Sequence, residues 1–258
     1  MKKLFCFDID GTLRTTSDHK VPKSTIKALH KLKDDGHHLL ISTGRSIDSL
    51  KHTHIYEIFP FDGYVCNSGQ ALLDKNLKVL HKEIIPENIV KKTIQVAKEH
   101  NIPLALKTVP RIITQEPNED VLRSCQFFNN PIPQVGTYTN QEIGAMIAYG
   151  PLGYDYEEFK AIKELDVMPG ESSYADITLK GISKATGIAY FMKTWHYDSY
   201  IAFGDSLNDV EMFKHAAISI CMGQGNKELK QMSSYVTDPI DQDGLYNACI
   251  HLGYIHED

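Results

Sequence analysis

Two carboxylates stand one residue apart where a short apolar strand ends, in Phe5-Cys6-Phe7-Asp8-Ile9-Asp10, and Gly11-Thr12-Leu13 follows at once. Residues at i and i+2 of a strand share a face, and a strand that ends between them splays them apart. Gly11 permits a sharp exit, and Thr12 can bond back to the turn. Two acids at the carboxyl end of a buried strand suit a metal ion and a phosphoryl group rather than a hydrophobic core. An Asp-Gly turn after a strand also occurs without any ligand.

A second run has the same construction. The apolar strand Tyr200-Ile201-Ala202-Phe203 ends in Gly204-Asp205-Ser206-Leu207-Asn208-Asp209, a polar turn leading into a helix. In a parallel sheet all strands deliver their carboxyl ends to one edge, where ligands bind. Asp205 can therefore converge on Asp8 and Asp10. Acids gathered there repel one another unless a cation sits among them, and hard oxygen ligands without His or Cys favour Mg2+. Asn208 or Asp209 also serves as a helix cap. In Leu40-Ile41-Ser42-Thr43-Gly44-Arg45, a strand ends in a hydroxyl, a glycine and a guanidinium. That hydroxyl and the turn N–H groups form an anion seat. In Lys180-Gly181-Ile182-Ser183-Lys184, Ser183 can cap a helix and orient Lys184 at the same sheet edge, as the fixed cation that a phosphate cradle needs.

In this order and spacing, the four sites resemble the haloacid dehalogenase-like phosphohydrolases, in the Cof-type branch whose large α/β cap (the C2B type) follows the third core strand. The resemblance spans the chain through Asp8-Ile9-Asp10-Gly11-Thr12, Thr43-Gly44-Arg45, Lys184 and Gly204-Asp205-Ser206-Leu207-Asn208-Asp209. It implies a Mg2+-dependent phosphatase working through an aspartyl-phosphate, with Asp8 as nucleophile and Asp10 as general acid/base. Thr43, Gly44, Lys184 and Asn208 would hold the phosphoryl oxygens. Asp8, Asp205 and the Asp10 carbonyl would hold Mg2+, with Arg45 and Asp209 in support. Asp10 would then need a raised pKa to act as an acid near neutrality. Two positions depart from the family pattern. Asn67-Ser68-Gly69 replaces the usual Asn-Gly, which leaves Asn67 without a clear substrate-facing role, and Lys184-Ala185 replaces Lys-Gly.

The elements that must position these residues alternate between strand and helix. Strands are expected at 3–8, 38–42, 64–66, 200–203 and 218–221, and helices at 22–35, 184–195, 210–214 and 245–252, with a hairpin around Asp74-Lys75-Asn76. From Pro86, at N1 of a helix through His100, the texture changes and Pro and Gly become dense. Short strands are expected at 103–107, 111–114, 143–149 and 174–179, and helices at 119–128 and 156–165. The fold class is therefore α/β: a doubly wound, Rossmann-like parallel-sheet core in segments 1–82 and 181–258, interrupted by an inserted α+β cap at 83–180. The cap is expected to open and close about hinges near residues 82 and 181.

Composition bounds the partners. The 258 residues carry a formal net charge of −6, which argues against general nucleic-acid binding, and no apolar run reaches the length of a membrane span. Five scattered cysteines without Cys-x-x-Cys spacing read as reduced, buried thiols, and Met1-Lys2-Lys3 runs straight into a strand with no room for a signal segment. The expectation is a cytoplasmic enzyme for a small phosphorylated metabolite, such as a sugar phosphate or a pyridoxal or flavin phosphate. Its oligomeric state is not legible. The twelve histidines read as surface and Trp195 as packing. Lys107, Arg111 and Arg123 are candidate substrate contacts, although a solvated face is the default for each. Three alternatives remain at this level: a phosphomutase, a phospho-accepting regulatory module, and a glycosyltransferase using Asp-x-Asp. Asp10 speaks against an accepting module, which gains nothing from faster hydrolysis.

Overall fold

The computed structural model describes residues 2–108 and 110–257. The apolar runs become strands, numbered in chain order. The core sheet contains β1 (Leu4–Phe7), β2 (His38–Ser42), β3 (Gly63–Cys66), β4 (Ala71–Asp74) and β5 (Val79–Lys82). The inserted unit contributes β6 (Leu104–Leu106), β7 (Ile112–Ile113), β8 (Gln134–Val135), β9 (Met146–Ala148), β10 (Leu165–Pro169) and β11 (Ala175–Leu179). The chain then returns to the core through β12 (Ile201–Gly204), β13 (Ile218–Cys221) and β14 (Tyr235–Val236).

The core is an eight-stranded sheet ordered β14-β13-β12-β1-β2-β3-β4-β5, parallel from β14 to β3, with an antiparallel pair at the far edge. Side-chain alternation along β1 divides the core into two layers. Phe5 and Phe7 pack with Ala28, Leu29, Leu32, Leu245 and Ala248 from helices Lys23–Asp34 and Gly244–His251. Leu4 and Cys6 face Ile188, Phe191, Met212 and Phe213 on the other side. Helices on both faces of a parallel sheet are the expected doubly wound class. Register then sets the site: Phe7 pairs with Phe203, and the Asp8 N–H donates to the Phe203 carbonyl at 3.0 Å, so the two acidic turns leave the sheet side by side.

The inserted unit is a six-stranded sheet ordered β10-β11-β9-β6-β7-β8. One face packs on helices Glu87–Glu99 and Glu157–Lys160 through Ile89, Val90, Ala97 and Phe159. The other face meets helix Glu119–Phe127 through Val121 and Cys125. Two of these strands depart from expectation. The helix expected at 156–165 stops at Lys160, and Leu165–Pro169 instead pairs along five residues with β11, from Leu165↔Leu179 to Pro169↔Ala175. Cross-strand pairing with β11 claims Leu165, the last residue of the expected helix. Gln134–Val135 is too short to read from sequence and exists through its parallel pairing with β7. Helix Lys227–Met232, capped by the Asn226 side chain, was also not expected, and Pro86 caps its helix rather than occupying its first turn.

Candidate active site

Ser183 caps helix Lys184–Trp195 in a reciprocal capping box with Thr186, which fixes the first-turn side chain of Lys184 over the sheet edge. Gly69 holds that helix in place: its φ is +109°, and a Cβ there would collide with the Ser183 carbonyl. Lys184 Nζ donates to Asp8 Oδ1 at 2.6 Å, to Asp209 Oδ1 at 2.7 Å and to Asn208 Oδ1 at 3.0 Å. Asp209 Oδ2 accepts from the backbone N–H groups of Asp205 and Ser206 at 3.0 and 3.2 Å. Asp205 Oδ1 accepts from the Thr12 hydroxyl at 3.0 Å. The two acidic turns and the helix start, far apart in sequence, thus form one buried cluster.

Among the described residues, Asp8, Asp205 and Asp209 bring ligand oxygens within 4.8 Å of one another. Three buried carboxylates face one ammonium, leaving an excess of two negative charges that a divalent cation matches. Burial pushes the Asp8 carboxyl up to about 7; Lys184 pulls it back and Asp209 pushes it further. Burial, then the charges of Asp8 and Asp209, drive Asp205 well above the usual carboxylate range. Such acids are stable as anions only beside a cation, and an all-oxygen donor set suits Mg2+. Asp209 thus joins the acids that fit a metal ion, and the Asp10 carboxylate lies apart from them.

Asp10 lies between two guanidinium groups. Arg45 Nε and Nη2 donate to Oδ2 and Oδ1 at 2.6 and 2.9 Å, and Arg14 Nη2 and Nε reach Oδ1 at 2.7 and 3.2 Å. Burial would raise this carboxyl, but Arg45 first and Arg14 second overcome it and hold it at about 2. This corrects the expectation of a raised pKa: in this arrangement Asp10 is an anion. Arg14 was missed in the sequence. Its only signal was an arginine four residues beyond Asp10 in the same turn.

The Thr43-Gly44-Arg45 loop is bracketed from both sides. Thr43 N–H donates to Val65 O, Arg45 N–H to the Thr43 hydroxyl, and the N–H groups of Ser68 and Asn67 to the carbonyls of Thr43 and Arg45. The anion seat is therefore smaller than expected, because the Thr43 and Arg45 N–H groups are already committed. The Thr43 hydroxyl is left with its own proton to donate. Asn67 is buried and does not line the cleft. Lys107, for which a solvated face was the default, is almost wholly buried and donates to the Gly44 carbonyl at 2.9 Å and to Asp176 Oδ1 at 2.8 Å. Arg111 lines the cleft, whereas Arg123 stays largely exposed, paired with Asp120 and Ser173.

Asp8, Asp10, Thr43, Gly44, Arg45, Asp205 and Asn208 all open onto one cleft. Its opposite wall comes from the inserted unit, through Lys107, Arg111, Phe128, Asn130, Tyr149 and Tyr174. No helix among the described residues is long and apolar enough to cross a membrane.

Comparison with known proteins gives a consistent picture. A family model described as haloacid dehalogenase-like hydrolase matches residues 5–249. The protein YkrA of Bacillus subtilis (strain 168) is 30% identical over 98% of each chain. Pyridoxal phosphate phosphatase YbhA of Escherichia coli (strain K12) is 25% identical over 93% of this chain and 96% of its own. Among solved structures, the subclass IIB sugar phosphatase BT4131 superposes with a TM-score of 0.86 at 29% identity, covering 98% of this chain and 100% of that one. BT1666 of Bacteroides thetaiotaomicron, a phosphatase of the same superfamily, superposes at 0.89 with 28% identity, covering 99% and 96%.

Proposed function

Because the chain belongs to the haloacid dehalogenase-like hydrolases and is a phosphatase of small phosphorylated metabolites, we propose that it hydrolyses phosphomonoesters through a phosphorylated Asp8, with Mg2+ as cofactor. The observation that carries this reading is the Asp8 carboxylate at the cleft, with Lys184 on one oxygen and Asp205 and Asp209 beside it.

An Asp8 oxygen attacks phosphorus in line, the bond to the leaving oxygen breaks, and Asp10 supplies that oxygen with a proton. Water then attacks the phosphorus, Asp10 takes its proton, and the Asp8–phosphorus bond breaks to free phosphate. Lys184 and the Thr43 hydroxyl hold the equatorial oxygens, where charge accumulates. Asp8, Asp205 and Asp209 would hold Mg2+, which when bound supplies further neutralisation of phosphoryl charge. Held by Arg45 and Arg14, Asp10 is in the form that accepts the proton of the hydrolytic water. The first transfer needs a protonated Asp10, and so a looser pairing with these two guanidinium groups.

The leaving group would lie against Arg111, Phe128, Tyr149 and Tyr174. Sugar phosphates and cofactor phosphates such as that of pyridoxal fit a wall with aromatic faces and one guanidinium, and the names of the relatives support the same classes. The test is hydrolysis of p-nitrophenyl phosphate with Mg2+, followed by a panel of phosphorylated metabolites. Asp8→Asn should abolish turnover; near-normal activity would remove Asp8 as nucleophile.

A further inference from the structure

Arg45 uses all five of its guanidinium N–H donors, and it divides them between core and cap. Nε and one Nη2 hydrogen go to the two oxygens of Asp10. One Nη1 hydrogen goes to Ser49 Oγ at 2.9 Å in the core. The remaining two cross the cleft, from Nη1 to Asn130 Oδ1 and from Nη2 to the Phe128 carbonyl, both at 3.1 Å. Asn130 Oδ1 also accepts from Ser49 Oγ at 3.2 Å, which closes the triangle, and the Arg45 guanidinium lies 5.8 Å from the Phe128 ring centre.

The second holder of Asp10 works differently. Arg14 comes from the same core turn and bonds Oδ1 alone. A carboxylate held by one oxygen can still turn about its Cβ–Cγ bond, whereas one held by both cannot. Among the described residues only Arg45 supplies a bond to Oδ2, and the plane of its guanidinium is set in part by Asn130 and Phe128.

We propose that Asn130 of the cap is a positioning residue for Asp10, acting through Arg45. With the cap seated, Asn130 completes the fork that fixes both Asp10 oxygens. With the cap lifted, the fork loses these two partners and keeps Asp10 and Ser49, so its plane is less firmly set. The second transfer, in which Asp10 takes the proton of the hydrolytic water, is thereby tied to the seated cap. This rests on the reading of Asp10 as the proton carrier.

The test is a double-mutant cycle on the full chain with Mg2+, measuring kcat and KM for p-nitrophenyl phosphate. Asn130→Ala should lower kcat about 10-fold with little change in KM, within the range by which members of one network couple. In an Arg45→Lys background, which has no planar fork, the same substitution should change kcat less than about twofold. Asn130→Asp, which keeps the acceptor oxygen, should recover most of kcat. Equal losses in both backgrounds, failure of Asn130→Asp to recover activity, or a rise in KM alone would overturn the proposal. Asp10→Asn serves as the control. If it is inactive while Asn130 and Arg45 act independently, the inference fails alone; if it is near-normal, the reading of Asp10 fails and takes the inference with it.

Discussion

Lys184 and Asp209 form an ion pair of 2.7 Å in which neither side chain reaches solvent, and the second Asp209 oxygen carries the backbone of the turn that presents Asp205. One carboxylate thus orients the cation and braces the turn that presents Asp205. Asp209→Ala should leave Lys184 with only Asp8 as a charged partner and strip the N–H groups of Asp205 and Ser206 of their acceptor. Breaking such a buried pair costs about 3 kcal/mol. Urea unfolding at neutral pH should read that loss, while Asp209→Asn, which retains an acceptor oxygen, should lose less. Equal stability of Asp209→Ala and the parent would refute the bracing role.

The acidic cluster predicts a pH-dependent response to metal. Asp8 has a folded-state pKa raised by burial from 3.8 to about 7. A group raised above its unfolded value contributes stability that is full below the unfolded pKa and is lost as pH rises through the folded one. The metal-free protein should therefore lose this contribution between about pH 4 and pH 7, and Mg2+, by pairing with the anions, should restore it. Melting curves with chelator and with saturating Mg2+ should show a larger metal-induced rise at about pH 8 than at about pH 5. The same rise at both would contradict the assignment.

At Gly11 the first acidic turn packs directly against the Asp205 carboxylate of the second. The Gly11 φ is +86°, and a Cβ would collide with the Asp205 carboxylate. Gly11→Ala should move Asp205 and with it the metal position, lowering kcat about 100-fold, the scale of a misplacement near 1 Å at a reacting centre. The Mg2+ concentration needed for half-activation should rise as well; an unchanged metal requirement would show that the turn tolerates the methyl.

Lys107 and Asp176 form a cap ion pair that reaches the Gly44 carbonyl. Lys107→Met should destabilise the protein by leaving Asp176 unpaired, and should raise KM by weakening the seat of the cap. Lys107→Met with Asp176→Leu should recover the stability, since an apolar pair can replace a buried ionic one, but not KM. Recovery of both would mean that the contact with Gly44 is incidental.

The convergence of the polar groups was legible because its signals are local. Asp8, Asp205 and Thr43 each follow an apolar strand and Lys184 opens a capped helix, and strand direction sends the first three to one edge. The match of Phe7 with Phe203 makes that convergence concrete. In the inserted unit, by contrast, the strand at 165–169 was not expected, because β10 exists through its partner β11 rather than through its own pattern.

The ionisation of Asp10 could not be read from the sequence. An aspartate after a strand gives no sign of whether it meets a proton, a metal or a guanidinium. Arg14 lies close in the chain, but Arg45 comes from another strand end, and two of its donors go to Asn130 and to the Phe128 carbonyl in the inserted unit, which no local pattern announces. The sequence by itself determined which acidic, hydroxyl and basic groups meet at one edge of the sheet, since periodicity and turn residues act over a few positions. Only the tertiary structure decided how those groups are charged and held, because hydrogen bonds and Coulomb forces depend on distances that folding sets.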